Sequence, residues 1–435
     1  MKRYMVLILI IFLKFVICIP VLNAAIDGIT GTSFNLTAKA DYISTPDGNS
    51  IYMWGYALNG GRMQYPGPTL IVNQGDTIII TLANELSVPV SIVFPGQIDV
   101  TTSGGIPGAI TREAAPGGSV AYAFTAQRPG TFIYHSGTNP DLQVEMGLFG
   151  AIIVRPSGYD PMNNMIAYNH PDSAYDYEYL FLLSEIDPRF HELAESGRFN
   201  EIDTTTFFPV YWFINGRAAP DTMLPANVPY LPTQPYNCMP MSRPHERVLL
   251  RLIGAGRDAH PFHTHGNHHR VIARDGVPLS SNLPTQGINL IEADFTTTII
   301  PGQTVDAIFS WRGERLGWDI YGHVNPINPD RIGQDCVDDG VALEQGEYLN
   351  DHCKPFPVLL PSQEVLTFGQ FYSGTPFLGA LGSLPPGKGG FNPNGGYFFM
   401  WHSHNEKEIT NFNIFPGGML TMMLIEPPWV SLMNP

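Results

Sequence analysis

Apolar and polar residues alternate in short runs from about residue 26 to 156, and this pattern predicts β-strands joined by tight turns. The segment TLIVNQGDTIIITLANE (69–85) reads as a strand, a Gly-Asp turn and a second strand. SVAYAFTAQRPGTFIYHSG (119–137) alternates, turns at Pro129-Gly130 and enters another strand, and GLFGAIIVRP (147–156) predicts a buried closing strand. Many short strands separated by turns are typical of a β-sandwich.

A second series of strands follows a polar connection at residues 157–178. It contains YEYLFLLSEID (177–187), VYWFINGRAAPD (210–221), ERVLLRLIGAG (246–256) and TVDAIFSWRG (304–313). An insertion at about 318–361 interrupts this series before the final strands, and the best short helix in the chain is PRFHELAESG (188–197). We therefore predict an all-β protein with two β-sandwich domains, at 26–156 and 179–435, joined by a linker at 157–178.

The amino-acid composition agrees with this fold class, and the net charge argues against one class of binding partner. The 435 residues include 44 glycines and 39 prolines, and only 14% are charged, which favours a β-rich, turn-rich chain. The formal net charge is −16, which argues against nucleic acid as a partner because phosphates attract basic surfaces.

Residues 1–25 resemble an export signal. Lys2 and Arg3 precede an apolar run, and the small residues of VLNAA (21–25) would suit a cleavage site. The run is long for a signal, so an uncleaved N-terminal membrane anchor is the alternative. Either way, the prediction is an exported protein, periplasmic or extracellular.

Three of the four cysteines lie outside this signal: Cys238, Cys336 and Cys353. Export makes a disulfide plausible, and Cys336 with Cys353 would close a short loop in the insertion. The sequence does not decide the pairing. Cys238 lies in a proline-rich segment, and we predict it to be structural or free, near the surface.

Six of the 13 histidines fall in three short clusters. They are His135, then His260, His263 and His265, then His402 and His404. Side chains at i and i+2 of a strand point to the same face, so His263 with His265 and His402 with His404 can each converge on one metal ion, while Thr264 and Ser403 face the other way. Clustered imidazoles suit Cu, Zn, Ni or Fe. His268 and His269 are intermediate candidates, and we expect the isolated histidines, His170, His191, His245, His323 and His352, at the surface.

The segments that carry these clusters, together with others, resemble the successive signatures of the multicopper oxidase family. They are YPGPTLIVNQGDTIIITLANEL, RPGTFIYHSGT, GLFGAIIVRP, WFINGRAAPDTM, RLIGAGRDAHPFHTHGN and WHSHNEKE followed by PGGM, in family order over roughly 35–426. The resemblance implies cupredoxin-like Greek-key sandwiches and copper as the cofactor. The spacing between GLFGAIIV and HPFHTH implies a two-domain member, in which the cluster forms between subunits of a homotrimer, with His135 of one subunit facing the four paired histidines of another.

Several copper ligands that the resemblance implies are absent. In this family a type 1 copper accepts electrons, and His260 would be one of its ligands. Ser403 stands where the cysteine thiolate is expected, Glu408 where a further histidine is expected, and Met419 falls near the axial methionine position. A serine hydroxyl is not a soft thiolate, so the resemblance implies that the ordinary type 1 site is missing.

The trinuclear copper cluster of the family is also incomplete. Val93 and Pro95 replace one histidine pair, and Gly137 replaces the partner of His135. Five of eight imidazoles are present: His135, His263, His265, His402 and His404. They are enough for one or two metal ions but not for three coppers.

Three functions fit this sequence. The first is a divergent oxidoreductase with a reduced histidine site, in which Glu406 or Glu408 is a candidate base or extra ligand. The second is an exported protein that binds or delivers copper, or zinc, without turnover. The third is a structural cupredoxin scaffold. Whether the protein is an enzyme is therefore left open by the sequence.

Overall fold

The computed structural model describes residues 26–313, 319, 321, 347–354, 375–376, 397–428 and 430–432. In these residues strands predominate and helices are short, which confirms the all-β fold class. In the described part of the chain, none of the helices has the length and apolar character needed to cross a bilayer. The predicted signal or membrane anchor at 1–25 lies outside the described residues.

The first sandwich holds twelve strands and one helical turn, α1 at Pro140–Gln143. The strands are β1 Ile29–Thr30, β2 Ser33–Ser44, β3 Ser50–Leu58, β4 Met63–Gln64, β5 Leu70–Asn73, β6 Thr77–Asn84, β7 Thr101–Gly104, β8 Ile106–Pro107, β9 Arg112–Glu113, β10 Ser119–Thr125, β11 Gly130–His135 and β12 Phe149–Arg155. Two sheets form, in the orders β1-β5-β12-β11 and β4-β3-β2-β6-β10-β7, and β8 pairs with β9. The predicted strands of the segments 69–85, 119–137 and 147–156 are confirmed.

The second sandwich begins with β13 at Tyr177–Ile186, and α2 at Pro188–Glu195 lies between its first two strands. Its strands are β13 Tyr177–Ile186, β14 Tyr211–Ile214, β15 Met241–Ser242, β16 Arg247–Gly254, β17 His260–Thr264, β18 His269–Arg274, β19 Val277–Pro278, β20 Glu292–Asp294, β21 Thr296–Ile299, β22 Thr304–Ser310, β23 Thr375–Pro376, β24 Tyr397–Ser403 and β25 Leu420–Ile425, with α3 at Leu283–Gln286. One sheet runs β14-β13-β16-β22-β18-β19, with β20 on β18; the other runs β15-β25-β24-β17-β21, with β23 on β24.

Short 3-10 helices connect several of these strands. They are Pro171–Ser173, Phe199–Glu201, Thr204–Thr206, Asp221–Met223, Leu349–Asp351 and Glu406–Ile409. The predicted helix at 188–197 is confirmed as α2: Pro188 stands in its first turn, and the Asp187 side chain caps it by accepting from the backbone N–H of Arg189.

Strands β12 and β13 are buried on both faces because each lies between two hydrophobic cores. Along β13, Tyr179, Phe181 and Leu183 pack inside the second sandwich. The alternate residues Leu180 and Leu182 pack into a core shared with the first sandwich. Side chains of a strand alternate between its faces, so this uninterrupted apolar run serves two cores at once.

A buried charge network crosses the same boundary. Glu178 of β13 pairs with Arg155 of β12 and, at 2.9 Å, with Nε of Arg251 in β16. Arg251 Nη1 donates to Thr131 Oγ1 at 2.9 Å, and that hydroxyl donates to Asp306 at 2.6 Å. Burial favours the neutral acid, yet Arg155 and Arg251 outweigh it and lower the pKa of Glu178 to about 2. This network therefore links the first sandwich directly to the second.

Three placements predicted from the sequence are wrong. Cys238 is only 1% exposed and is a free thiol, and it packs in the core with its Sγ 3.3 Å from the carbonyl oxygen of Thr222. His191 and His352 are buried, not at the surface. Burial of His191 is compensated because its Nδ1 bonds the Tyr52 carbonyl oxygen at 2.7 Å.

Cys353 is disulfide-bonded, but its predicted partner Cys336, like His323, lies outside the described residues.

Candidate metal centre

The two histidine pairs meet because β17 and β24 are neighbours in one sheet. The strands run antiparallel, and their register places His263 directly opposite His402. Residues directly opposite in an antiparallel pair have side chains on the same face. His265 and His404 lie two residues further on along their own segments and complete a group of four on the outer face of the sheet. The prediction that Thr264 and Ser403 face away is consistent with this register.

The ring of His263 contacts the other three imidazole rings of the group. The ring centre of His263 lies 4.7 Å from that of His265, 5.4 Å from that of His402 and 4.8 Å from that of His404. The Nε2 atoms of His265 and His402 are 3.2 Å apart. One ring nitrogen from each of His263, His265 and His402 can be chosen so that all lie within 4.8 Å of one another, the spacing of ligands around one ion.

Hydrogen bonds orient two of these rings toward such an ion. Nδ1 of His402 lies 2.6 Å from the carbonyl oxygen of Ser403, which can only accept, so this nitrogen carries the proton and Nε2 keeps its lone pair. Nδ1 of His263 lies 2.6 Å from the Thr296 hydroxyl. A metal-binding histidine usually makes such a bond with its other nitrogen.

Burial and mutual proximity keep the imidazoles of His263, His265 and His402 neutral. Burial, reinforced by neighbouring imidazoles, lowers the pKa of His263 to about 4 and that of His265 to about 3. Burial likewise lowers the pKa of His402 to about 4. Neutral imidazoles are the form that binds metal, so the donor set fits a borderline-soft ion such as copper.

His404 is the accessible member of the group. Its side chain is 47% exposed, and its Nδ1 lies 3.2 Å from a carboxylate oxygen of Glu406. Of the two glutamates proposed as base or extra ligand, Glu406 therefore lies beside the histidines. Glu408 does not: it is buried on the other side of the sheet and is bound there by His260 and Ser403.

The inner face of the same sheet holds His260 in a closed polar cluster. Nδ1 of His260 lies 2.8 Å from Glu408 Oε2, and Nε2 lies 2.8 Å from Glu185 Oε2. The Ser403 hydroxyl donates to the same Glu408 oxygen at 2.5 Å. That oxygen therefore fills the space between His260 and Ser403. Both nitrogens of His260 bind carboxylates, so neither is free to bind a metal ion with the four paired histidines.

The charge state of His260 follows from these contacts. Burial disfavours the imidazolium, but hydrogen bonds and attraction to Glu185 and Glu408 outweigh burial and raise the pKa of His260 to about 10. Glu185, at the end of β13, also accepts from the backbone N–H of Asp258 at 2.9 Å. Gly256 permits this approach, since a Cβ there would lie 1.9 Å from Glu185 Oε2.

A family model described as multicopper oxidase matches residues 40–158. A multicopper oxidase of Talaromyces pinophilus is 34% identical over 117 residues, which are 26% of this chain and 19% of that protein. Copper resistance protein A of Pseudomonas syringae pv. tomato is 28% identical over 163 residues, 38% of this chain and 24% of that protein. Residues 40–158 are therefore a multicopper oxidase-type region, and parts of the chain are similar to multicopper oxidases and copper resistance proteins. This similarity is consistent with copper as the cofactor.

The longest of these sequence matches covers only part of a larger protein. A probable nitrite reductase-hydroxylamine oxidoreductase fusion protein of Kuenenia stuttgartiensis is 28% identical over 267 residues, 59% of this chain and 27% of that protein. The match thus spans about a quarter of that relative's length.

Solved multicopper oxidases share the fold of this chain. The structure titled multicopper oxidase mgLAC superposes with a TM-score of 0.55 at 19% identity, over 92% of this chain and 88% of that one. A blue copper oxidase from Nitrosomonas europaea gives a TM-score of 0.54 at 19% identity, over 90% and 85% of the two chains. These likenesses support the cupredoxin-like architecture.

The first sandwich contributes little to the centre. His135 ends β11, and its backbone pairs with that of Val93, one of the residues standing where histidines were expected. A side chain at Gly137 would meet Val93 Cγ1 at 2.6 Å, so an imidazole has no room there. Among the described residues, His135 makes no hydrogen bond or ring contact with the four paired histidines.

His269 and His268 play other roles. Buried His269 lies between the hydroxyls of Thr264 and Thr297, at 2.8 and 2.7 Å. The His268 ring packs 5.1 Å from that of Phe295, which in turn lies 5.7 Å from the His263 ring. Neither histidine joins the group of four.

A second metal-ligating group that the sequence did not indicate lies in the described part of the insertion. Asp319, Glu347 and His352 bring ligand atoms within 4.8 Å of one another. Nδ1 of His352 lies 2.6 Å from Glu347, and Asp319 accepts from the backbone of Tyr321 and Cys353. These bonds satisfy the group without an ion.

Proposed function

We propose that this chain is an exported copper-binding protein that holds copper through His263, His265, His402 and His404 and has no type 1 centre. The observation that carries the proposal is the convergence of these rings, with the proton of His402 held on Nδ1 by a carbonyl oxygen. The similarity to multicopper oxidases and copper resistance proteins supports copper in preference to zinc. Four imidazoles form a complete donor set for one copper ion, which accepts nitrogen ligands.

Copper content tests the proposal directly. Loaded and desalted, the protein is expected to retain about one non-blue copper per chain, because four imidazoles suit one ion. The double variant His263→Ala, His404→Ala removes half of the donors and is expected to retain none. Metal analysis with an electron-paramagnetic spectrum measures this.

The control is His170→Ala, which removes a partly buried imidazole of the linker that contacts Asp172. It should bind copper like the unaltered protein. If the unaltered protein retains no copper, the structural scaffold becomes the better explanation. If the double variant retains all of its copper, the ion is held elsewhere and the four-histidine site is refuted.

A divergent oxidoreductase is the second candidate function. It is favoured by the exposure of His404 and by the Glu406 carboxylate beside it, since an accessible ligand with an adjacent base suits exchange of a small substrate. Copper, when bound, supplies one-electron chemistry; Glu406 would hold a proton next to it. Oxygen consumption by the copper-loaded protein, compared with that of Glu406→Gln, distinguishes an enzyme from a carrier.

We further propose that His135 joins the centre of a neighbouring subunit in a homotrimer. Its Nδ1 lies 2.9 Å from the Ser136 carbonyl oxygen, so Nε2 keeps its lone pair, as in His402. His135→Ala is expected to weaken copper binding at least about tenfold, the usual minimum for losing a supporting group. Competition with a copper chelator measures the affinity, and sedimentation measures the mass. An unchanged affinity in a trimer would contradict this role.

A further inference from the structure

A pocket of about 920 Å³ lies beside the metal centre, at one end of the sheet that contains β16, β22 and β18. Paired residues of these strands form part of the pocket wall: Arg247 pairs with Ser310, and Arg270 pairs with Ile308. Arg243 reaches it from the loop before β16, and Arg312 follows β22. Four arginines thus line one cavity in a chain whose net charge is −16.

Only two of these arginines have carboxylate partners. Arg247 pairs with Asp176 at 3.2 Å, and Arg243 lies 3.5 Å from Glu246. Asp176 and Glu246 are the acidic residues in the wall. Within the part of the chain that the structure describes, the exposed side chains of Arg270 and Arg312 make neither a salt bridge nor a hydrogen bond. The pocket therefore carries two uncompensated positive charges.

Further donors and an apolar surface accompany these charges. His245 and Arg243 each have a buried ring or guanidinium nitrogen, Nδ1 and Nε, without a hydrogen-bond partner. His245 is also held at φ 71°, a conformation that a histidine rarely adopts and that the surrounding structure must impose. Ile308 and Pro428 add apolar wall. A volume of this size fits a small molecule better than a bare inorganic ion.

We propose that this pocket binds a small organic anion with two or more carboxylate or phosphate groups. Arg270 and Arg312 supply the charge, because a guanidinium can hold a carboxylate or phosphate through two parallel hydrogen bonds. The pocket does not depend on copper. It is separated from the metal histidines by Phe295, whose ring contacts those of both His268 and His263.

Calorimetric titration of the metal-free, full-length protein tests the proposal. The probes are succinate, tricarballylate and glycerol phosphate, with acetate and inorganic phosphate as reference anions. At least one of the three probes is expected to bind with a Kd of about 1 mM or tighter at low salt. Arg270→Gln and Arg312→Gln should each weaken that binding about tenfold to a hundredfold, the range for losing a hydrogen bond to a charged group.

Arg128→Gln is the matched control, because Arg128 is an exposed arginine that does not line the pocket. It should bind the probe like the unaltered protein. The proposal is overturned if none of the three probes binds, if inorganic phosphate binds as tightly as the best of them, or if Arg128→Gln loses as much affinity as the pocket variants. Because the protein is metal-free throughout, a failure of the copper proposal leaves this test intact.

Discussion

The double variant Ser403→Cys, Glu408→His is expected to acquire an additional copper ion per chain with intense blue absorption. The inner face of the β17–β24 sheet already brings the necessary positions together. Glu408 Oε2 lies 2.8 Å from His260 Nδ1 and 2.5 Å from Ser403 Oγ. Removing this carboxylate frees the space between them, and a thiolate at 403 supplies the soft ligand that a blue copper site requires.

Two further residues of such a site lie next to these positions. Buried Met419 is tied to both positions by its backbone: its carbonyl oxygen accepts from the N–H of Ser403 at 3.0 Å, and its N–H donates to the carbonyl of Glu408 at 2.7 Å. Glu185 would continue to hold Nε2 of His260, and such an outer contact fixes the orientation of a metal-binding imidazole.

Metal analysis and visible absorption after copper loading measure the outcome. The control Ser403→Ala, Glu408→His has the same freed space but no thiolate, and it should show no intense blue band. If the cysteine variant folds yet gains neither copper nor colour, His260 and Met419 are not positioned as type 1 ligands, and the inner cluster is not a converted copper site.

The strands were predictable because side chains of a strand alternate between a buried and an exposed face, and this alternation is visible in the sequence. Alternation in β6 and β10 identifies half-buried strands, and β12 and β13 stand out as continuous apolar runs. The pairing of His263 with His265, and of His402 with His404, followed from the same period. That all four would meet depended on the register between β17 and β24, which the resemblance suggested and local pattern alone could not give.

The closed cluster around His260 could not be predicted in the same way. Glu185 lies 75 residues before His260 and Glu408 lies 148 after it, so no local spacing connects them. Glu408 was a candidate base because it follows the His402–His404 pair closely in the sequence. The 3-10 turn Glu406–Ile409 instead places it beneath the sheet. Similarly, proline-rich surroundings suggested a surface position for Cys238, whereas its contacts with Thr222 and Ile214 bury it.

The second large effect is expected from His260→Gln, which should lower the free energy of unfolding by about 3–5 kcal/mol at pH 7. Removing the imidazolium leaves Glu185 and Glu408 buried without their shared cation. Asp258, whose pKa is raised by burial and by Glu185, adds a third carboxyl nearby. Glutamine preserves some hydrogen bonding but carries no positive charge. The decrease in the free energy of unfolding therefore measures what the charge of His260 contributes to stability.

The free energy of unfolding of the unaltered protein and that of His260→Gln should also depend differently on pH. The folded pKa of His260 is raised to about 10 from an ordinary 6.5, so its stabilisation is complete below pH 6.5 and is lost as the pH rises through 10. Between pH 7 and pH 9 the unaltered protein should lose about 1.4 kcal/mol per pH unit relative to His260→Gln.

Urea unfolding of the metal-free proteins at pH 7, 8 and 9 measures this difference, and His170→Gln is the matched control. His170 is partly exposed, so its substitution should change stability little and by the same amount at each pH. A gap between the unaltered protein and His260→Gln that stays constant from pH 7 to 9 would show that His260 is neutral in the folded state. In that case one of its two carboxylate partners must carry the proton, and the inner cluster would be a hydrogen-bonded neutral group instead of an ion triad.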